Sequence, residues 1–174
     1  MTGDIIEARF KRTVELAVSK LREAERCADS QCFEAACVMV GAAVESALIT
    51  HVYIFEREVR AENLWRMRQN RKTSDTEDKP LLDWTLEDLI HVAVKMGWLP
   101  TAGGGITAAE PVEKLSGEVG DAVRFIQEVR NLVAHPGKYV RGDYWPTIGR
   151  PEYDVVYGIA RAVLDRLYTA LQTM

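Results

Sequence analysis

Residues 35–55 read AACVMVGAAVESALITHVYIF, and this stretch decides the fold. It is nearly all apolar or small, broken only by Glu45, Ser46, Thr50 and His51. Such a length would suit a membrane span, which needs about 20 apolar residues. A carboxylate in the middle is costly in lipid, however, and the rest of the chain supplies amphipathic helices able to cover an apolar one. The stretch is therefore expected to form most of a central helix over residues 31–58, within a bundle and away from any membrane.

The flanking sequence supports that expectation. Residues 4–28 place Ile6, Phe10, Val14, Ala17, Leu21, Ala24 and Ala28 on one helical face, with charges opposite. A third helix is expected from Thr85, whose hydroxyl can cap it together with Asp88, and it should stop near Gly97. Residues 117–134 repeat apolar side chains at Val119, Ala122, Ile126, Val129 and Val133. Residues 153–171 do so at Val156, Ala160, Val163, Leu167 and Ala170. No stretch alternates as a strand would. The expected fold is all-α, an up-and-down bundle of about five helices without a β-sheet. It is expected to be a single domain over residues 1–174, with long connections at about 59–84 and 99–116. Connections of that length are usually functional or disordered. The second holds Gly103, Gly104 and Gly105, which read as a hinge because no strand–helix frame surrounds them.

Composition narrows the function classes. The 174 residues are 47% hydrophobic, enough for one globular core, and the net charge of −4 gives no global attraction to nucleic acid. Any RNA contact must come from a local patch. The opening MTGDIIEARFKR has neither the apolar core nor the cleavage site of a signal peptide. Cys27, Cys32 and Cys37 are odd in number and five apart, which suits neither a zinc site nor a disulfide framework. A cytoplasmic location is expected. His51 and His91 read as separate core or surface residues, and no spacing supports a metal site or implies a cofactor.

The chemistry-bearing run is Arg130-Asn131-Leu132-Val133-Ala134-His135-Pro136-Gly137. Pro136 biases His135 away from helical angles and Gly137 gives a permissive exit, so the helix should end at His135. The carbonyl-rich terminus there favours the imidazolium. At roughly 100° per residue, Arg130 and His135 would point about 140° apart on a straight helix, whereas Asn131 and His135 would share a face. For Arg130 and His135 to meet one phosphate, the helix end must unwind or a second chain must complete the site.

An arginine, a polar residue and then a histidine after a short gap, late in a helical chain, resembles the signature of HEPN domains. The helix order of the preceding chain fits as well. Motif-bearing HEPN domains are often metal-independent ribonucleases, commonly dimers whose motifs meet at the interface, and many belong to toxin–antitoxin or antiviral defence systems. The resemblance implies catalytic roles for Arg130, Asn131 and His135 on an RNA phosphodiester. It also implies a homodimer through the motif face and an antitoxin or nucleotidyltransferase as candidate partner. The opposing reading is a non-catalytic HEPN module that binds a nucleotide or a protein, with the motif structural.

Other residues stand beside the motif. Glu45 sits in the middle of a buried helix, where an unpaired charge costs several kcal/mol. Arg130, at the edge of the buried face of its helix, is the natural partner and would be oriented by it. An equal alternative is that Glu45 reaches solvent through a gap. Arg124, Gln127, Asn131 and His135 form a polar stripe, either a solvated face or the floor of a groove. Arg66, Arg68, Arg71 and Lys72 pack four cations into seven residues and are candidate RNA contacts together with Arg124. Asp75, Glu77 and Asp78 follow at once, so a solvated charged loop is the commoner meaning. Tyr139, Tyr144 and Trp145, near Arg141 and Arg150, can stack bases, though aromatics there more often pack the loop or make a dimer contact.

Overall fold

The computed structural model describes residues 3–70, 72–99, 123, 126, 127, 129, 130 and 148–172. Within them α1 (Gly3–Asp29) and α2 (Phe33–Ile54) form a helical hairpin. Ala17, Leu21, Ala24 and Ala28 of α1 are buried at steps of four and three, and three of them are alanines, which lets the two helices approach closely. Gln31 stops α1. Its φ of 60° lets its N–H reach the Ala28 carbonyl at 2.9 Å while Cys32 N–H reaches Cys27 at 2.8 Å. This is the paired-bond ending usually built on glycine.

The apolar stretch is the central helix, packed against α1, α4 (Leu86–Lys95) and α5 (Arg150–Gln172). By length and composition α2 also passes as a membrane span, yet most of that stretch is buried inside the fold. Two of its four polar interruptions are resolved locally, and His51 is resolved through one of its two ring nitrogens. Ser46 donates to the Ala42 carbonyl at 2.8 Å and Thr50 to the Ser46 carbonyl at 2.9 Å, while His51 Nδ1 lies 3.3 Å from the Ala47 carbonyl. Such bonds one turn back satisfy a buried side chain without another element. Glu45 cannot be served that way, since its carboxylate only accepts.

The single helix expected over 31–58 is divided. It begins at Phe33, breaks at Phe55, and resumes as α3 (Glu56–Ala61), in which Val59 alone is buried. The break falls where the apolar run gives way to charge, and the Phe55 ring is held by Trp98 at 5.3 Å between centroids.

The expectation of no β-sheet is corrected. Within the 59–84 connection, β1 (Met67–Gln69) and β2 (Thr76–Asp78) pair antiparallel, with Arg68 opposite Glu77. The cause is charge rather than hydrophobic patterning. Arg68 Nε stands 2.9 Å from Glu77 Oε1 across the strands, the cross-strand pairing that stabilises an exposed ribbon. A 3-10 turn (Leu81–Asp83) packs on α2, the Trp65–Trp84 edge contact at 4.9 Å joins the two ends of the ribbon segment, and Arg60 of α3 meets Asp78 of β2 at 2.7 Å. The protein is thus predominantly helical, with one two-stranded ribbon among the described residues.

α4 begins as expected. Thr85 Oγ1 accepts from Asp88 N–H at 3.1 Å, and Asp88 Oδ2 accepts from Thr85 N–H at 3.0 Å, completing a capping box. It ends with Gly97 at φ 73°, where the left-handed region suits glycine. α5 starts earlier than its apolar rhythm suggested. Glu152 accepts from Gly149 N–H at 2.9 Å, and Pro151 costs no bond in a first turn. Tyr157 on α5 donates to the Glu25 carboxylate on α1, tying the last helix to the first.

Candidate functional site

Of the helix expected over 117–134, Val123, Ile126, Gln127, Val129 and Arg130 are described, and all five are helical. Val123 and Ile126 are fully buried, which turns this helix onto the core. Arg130, four residues after Ile126, emerges at the edge of that buried face. Its Nη2 lies 3.1 Å from Glu45 Oε2, and the two side chains remain 29% and 22% exposed. The fourth polar interruption of α2 is therefore met by the arginine of the motif.

The stem of that arginine has its own seat. A Cβ built on Gly41 would stand 2.9 Å from Arg130 Cδ, 3.3 Å from its Cβ and 3.4 Å from its Cγ. Gly41 and Glu45 are four apart on α2 and share a face. One turn of α2 thus offers a missing side chain to the arginine's methylenes and a carboxylate to its guanidinium. Sequence reasoning passed over Gly41, although a glycine inside a long helical run, where it costs about 1 kcal/mol relative to alanine, is itself a signal of close approach.

An arginine held this way keeps chemical capacity. Guanidinium carries five N–H donors in a rigid fork, Glu45 is met through Nη2, and the side chain is partly open to solvent. A phosphate oxygen can be bound by the remaining donors. Asn131 and His135, the other members of the motif, lie outside the described residues, as do Arg124, Arg71 and the aromatics at 139, 144 and 145.

The basic run is distributed differently. Arg66 Nε lies 2.9 Å from Asp88 Oδ1, and Arg68 is shared between Glu77 at 2.9 Å and Asp83 at 3.5 Å. Lys72 contributes its backbone N–H to Asn70 Oδ1 at 2.9 Å, which shapes the ribbon's turn. Arg66 and Arg68 are thereby committed to carboxylates of the ribbon and of α4. Asp88 is the hub, because Lys79 Nζ also reaches its Oδ2 at 2.8 Å. Burial alone would raise its carboxyl, but Lys79, Thr85 and Arg66 hold it well below the usual carboxylate range.

Acidity is altered at His51 and at Cys37 as well. Burial lowers the His51 ring below its ordinary value, against the pull of the Ala47 and Leu167 carbonyls, and Trp98 stands edge-on to it at 5.5 Å. Burial also pushes the Cys37 thiol up to about 12, with Glu152 and Glu34 adding to the effect, which leaves it without thiolate character at neutral pH. His91 is exposed on α4. Among the described residues no group of three or more His, Cys, Asp or Glu is placed to hold a metal ion. No family model, curated protein or solved structure matches this chain.

Proposed function

We propose that the protein is a metal-independent endoribonuclease of the HEPN type, with Arg130, Asn131 and His135 as its site and a HEPN-like bundle as its frame. The observation that carries this reading is the Glu45–Arg130 pair, which fixes a partly exposed guanidinium on the helix leading to Asn131 and His135. In the reaction the ribose 2′-oxygen attacks phosphorus and the bond to the 5′-oxygen breaks. The 2′-hydroxyl gives up a proton and the leaving 5′-oxygen takes one up. His135 exchanges one of these protons, Arg130 binds a non-bridging oxygen as charge builds, and Asn131 orients one of the groups. The product is a 2′,3′-cyclic phosphate. Assembly as a homodimer through the motif face would supply a second His135 to each Arg130, which answers the divergence of the two residues on a straight helix. A cytoplasmic toxin-like or defence role, with an antitoxin or nucleotidyltransferase as partner, belongs to the same reading.

A second reading rests on the same contact. The Arg130 stem is packed on Gly41 and its charge is met by Glu45, so the arginine also serves as a tie between helices. In that case the motif is architectural and the module binds a nucleotide or a protein without cleaving RNA.

The deciding experiment is RNA cleavage by the purified protein in EDTA, beside Arg130→Ala and His135→Ala proteins prepared identically. The ribonuclease reading expects cleavage that survives chelation and disappears in both variants. Absence of cleavage over several RNA classes, with Arg130→Ala losing thermal stability, selects the architectural reading.

A further inference from the structure

We infer that Gly41 is a positioning residue for Arg130: the missing side chain on α2 sets where the guanidinium stands, and Glu45 one turn later locks it. The inference deepens the ribonuclease reading and rests on it for its catalytic consequence, though not for its geometry.

Three observations converge. Gly41 is buried in the middle of α2 and has a helical backbone that does not require glycine. Its immediate neighbours in the helix, Val40, Ala42, Ala43 and Val44, all carry a Cβ, so the lack of one is specific to this position. The atoms that would meet a new Cβ are three consecutive carbons of the Arg130 stem, the nearest being Cδ at 2.9 Å. Carbon atoms rest at roughly 3.5–4.0 Å, so a methyl group here would drive Cδ away by at least about 0.6 Å. Cδ carries the guanidinium directly. Its displacement is passed on to the 3.1 Å contact with Glu45, and to any phosphate the remaining donors hold. Misplacement of a catalytic group by 1 Å can cost about 100-fold in rate.

The geometric half is tested without RNA, by a double-mutant cycle on unfolding. Glu45→Gln, Arg130→Met and the double variant are compared in wild type and in a Gly41→Ala background. Methionine keeps an unbranched stem and removes the charge, so the cycle isolates the ion pair. In wild type the two side chains should be coupled at least about threefold in the unfolding equilibrium. In Gly41→Ala the coupling should vanish, and coupling of undiminished size there would overturn the inference. If Gly41→Ala is too unstable to measure, adding Arg130→Ala removes Cδ and Cγ and should restore stability. A double variant no more stable than Gly41→Ala itself would overturn it as well.

The catalytic half is read from the kinetics. Where wild type cleaves RNA, Gly41→Ala should lower kcat about 10-fold to 100-fold with KM changed little, because the arginine's oxyanion contact matters most in the transition state. Unchanged kcat in Gly41→Ala, with Arg130→Ala inactive, refutes the positioning role while the ribonuclease reading stands. Wild type without cleavage refutes the ribonuclease reading and the catalytic half with it, and the cycle still decides whether Gly41 seats the arginine.

Discussion

Arg130 Nη2 stands 3.1 Å from Glu45 Oε2, so the carboxylate in the middle of the apolar central helix is answered by the arginine of the Arg-Asn-x-x-x-His run. Removing the charge of either partner leaves the other partly buried with poor compensation. Glu45→Gln should therefore lower unfolding stability by about 1–3 kcal/mol, the cost of leaving one member of a partly buried pair poorly satisfied. Urea denaturation checks it, and a midpoint equal to wild type would show that the pair contributes nothing.

Asp88 should carry the acid sensitivity of the ribbon. Its carboxyl is held below the ordinary range in the folded protein, chiefly through Lys79, Thr85 and Arg66 acting against burial. A depressed carboxylate contributes stability that is present above its unfolded value of about 3.9 and is lost as pH falls through the folded one. Asp88→Ala should cost about 2 kcal/mol at pH 7, and the gap to wild type should narrow steadily below about pH 4. A gap independent of pH would assign the loss to packing instead.

His51 should act at milder acidity. The folded state holds its ring below the ordinary value, chiefly by burial, so the unfolded state binds the extra proton first. Stability from this residue is therefore complete above about pH 6.5 and declines as pH falls below it. Replacing it with an apolar residue of similar size, His51→Leu, should flatten the stability profile between about pH 7 and 5. An unchanged slope would show that the ring binds its proton equally in the folded and unfolded states across that window.

The turn between α1 and α2 contains a residue that works against its own backbone. Gln31 adopts φ 60°, a region that costs an L-residue roughly 1–2 kcal/mol. Gln31→Gly should relieve that strain and, after glycine's greater loss of chain entropy, raise stability by about 0.5–1 kcal/mol. Calorimetry would show a higher Tm, whereas a lower one would mean that the glutamine side chain contributes more than the strain removes.

Much of the helical framework was legible because its signals are local and periodic. Ala17, Leu21, Ala24 and Ala28 are buried as their spacing indicated, and Thr85 and Asp88 form the cap that their separation permits. The ribbon at 67–78 escaped notice because its strands are three residues long and exposed, so no apolar alternation exists to be read. Its signal lay in charge order, a cationic run followed within a few residues by an acidic one, which can fold back and pair. The stop at Gln31 was hidden because glutamine is an uncommon choice for a left-handed position. Similarly, α5 began before its apolar rhythm, since Gly149 and Glu152 cap it through polar groups.

In the site, the Glu45–Arg130 contact could be anticipated from the cost of a lone buried charge. Gly41 could not be found that way, because it acts through the absence of a side chain and needs the third dimension to show what fills the gap. Asn131 and His135 fall outside the described residues, and their part in the site rests on the motif itself.

The most direct measurement is the chemical nature of the RNA ends produced by the wild-type protein in EDTA, determined by mass spectrometry beside His135→Ala. Attack by the neighbouring 2′-oxygen predicts fragments ending in a 2′,3′-cyclic phosphate, absent from the His135→Ala reaction. Fragments ending in a 3′-hydroxyl, or RNA left intact by wild type, would contradict the ribonuclease assignment.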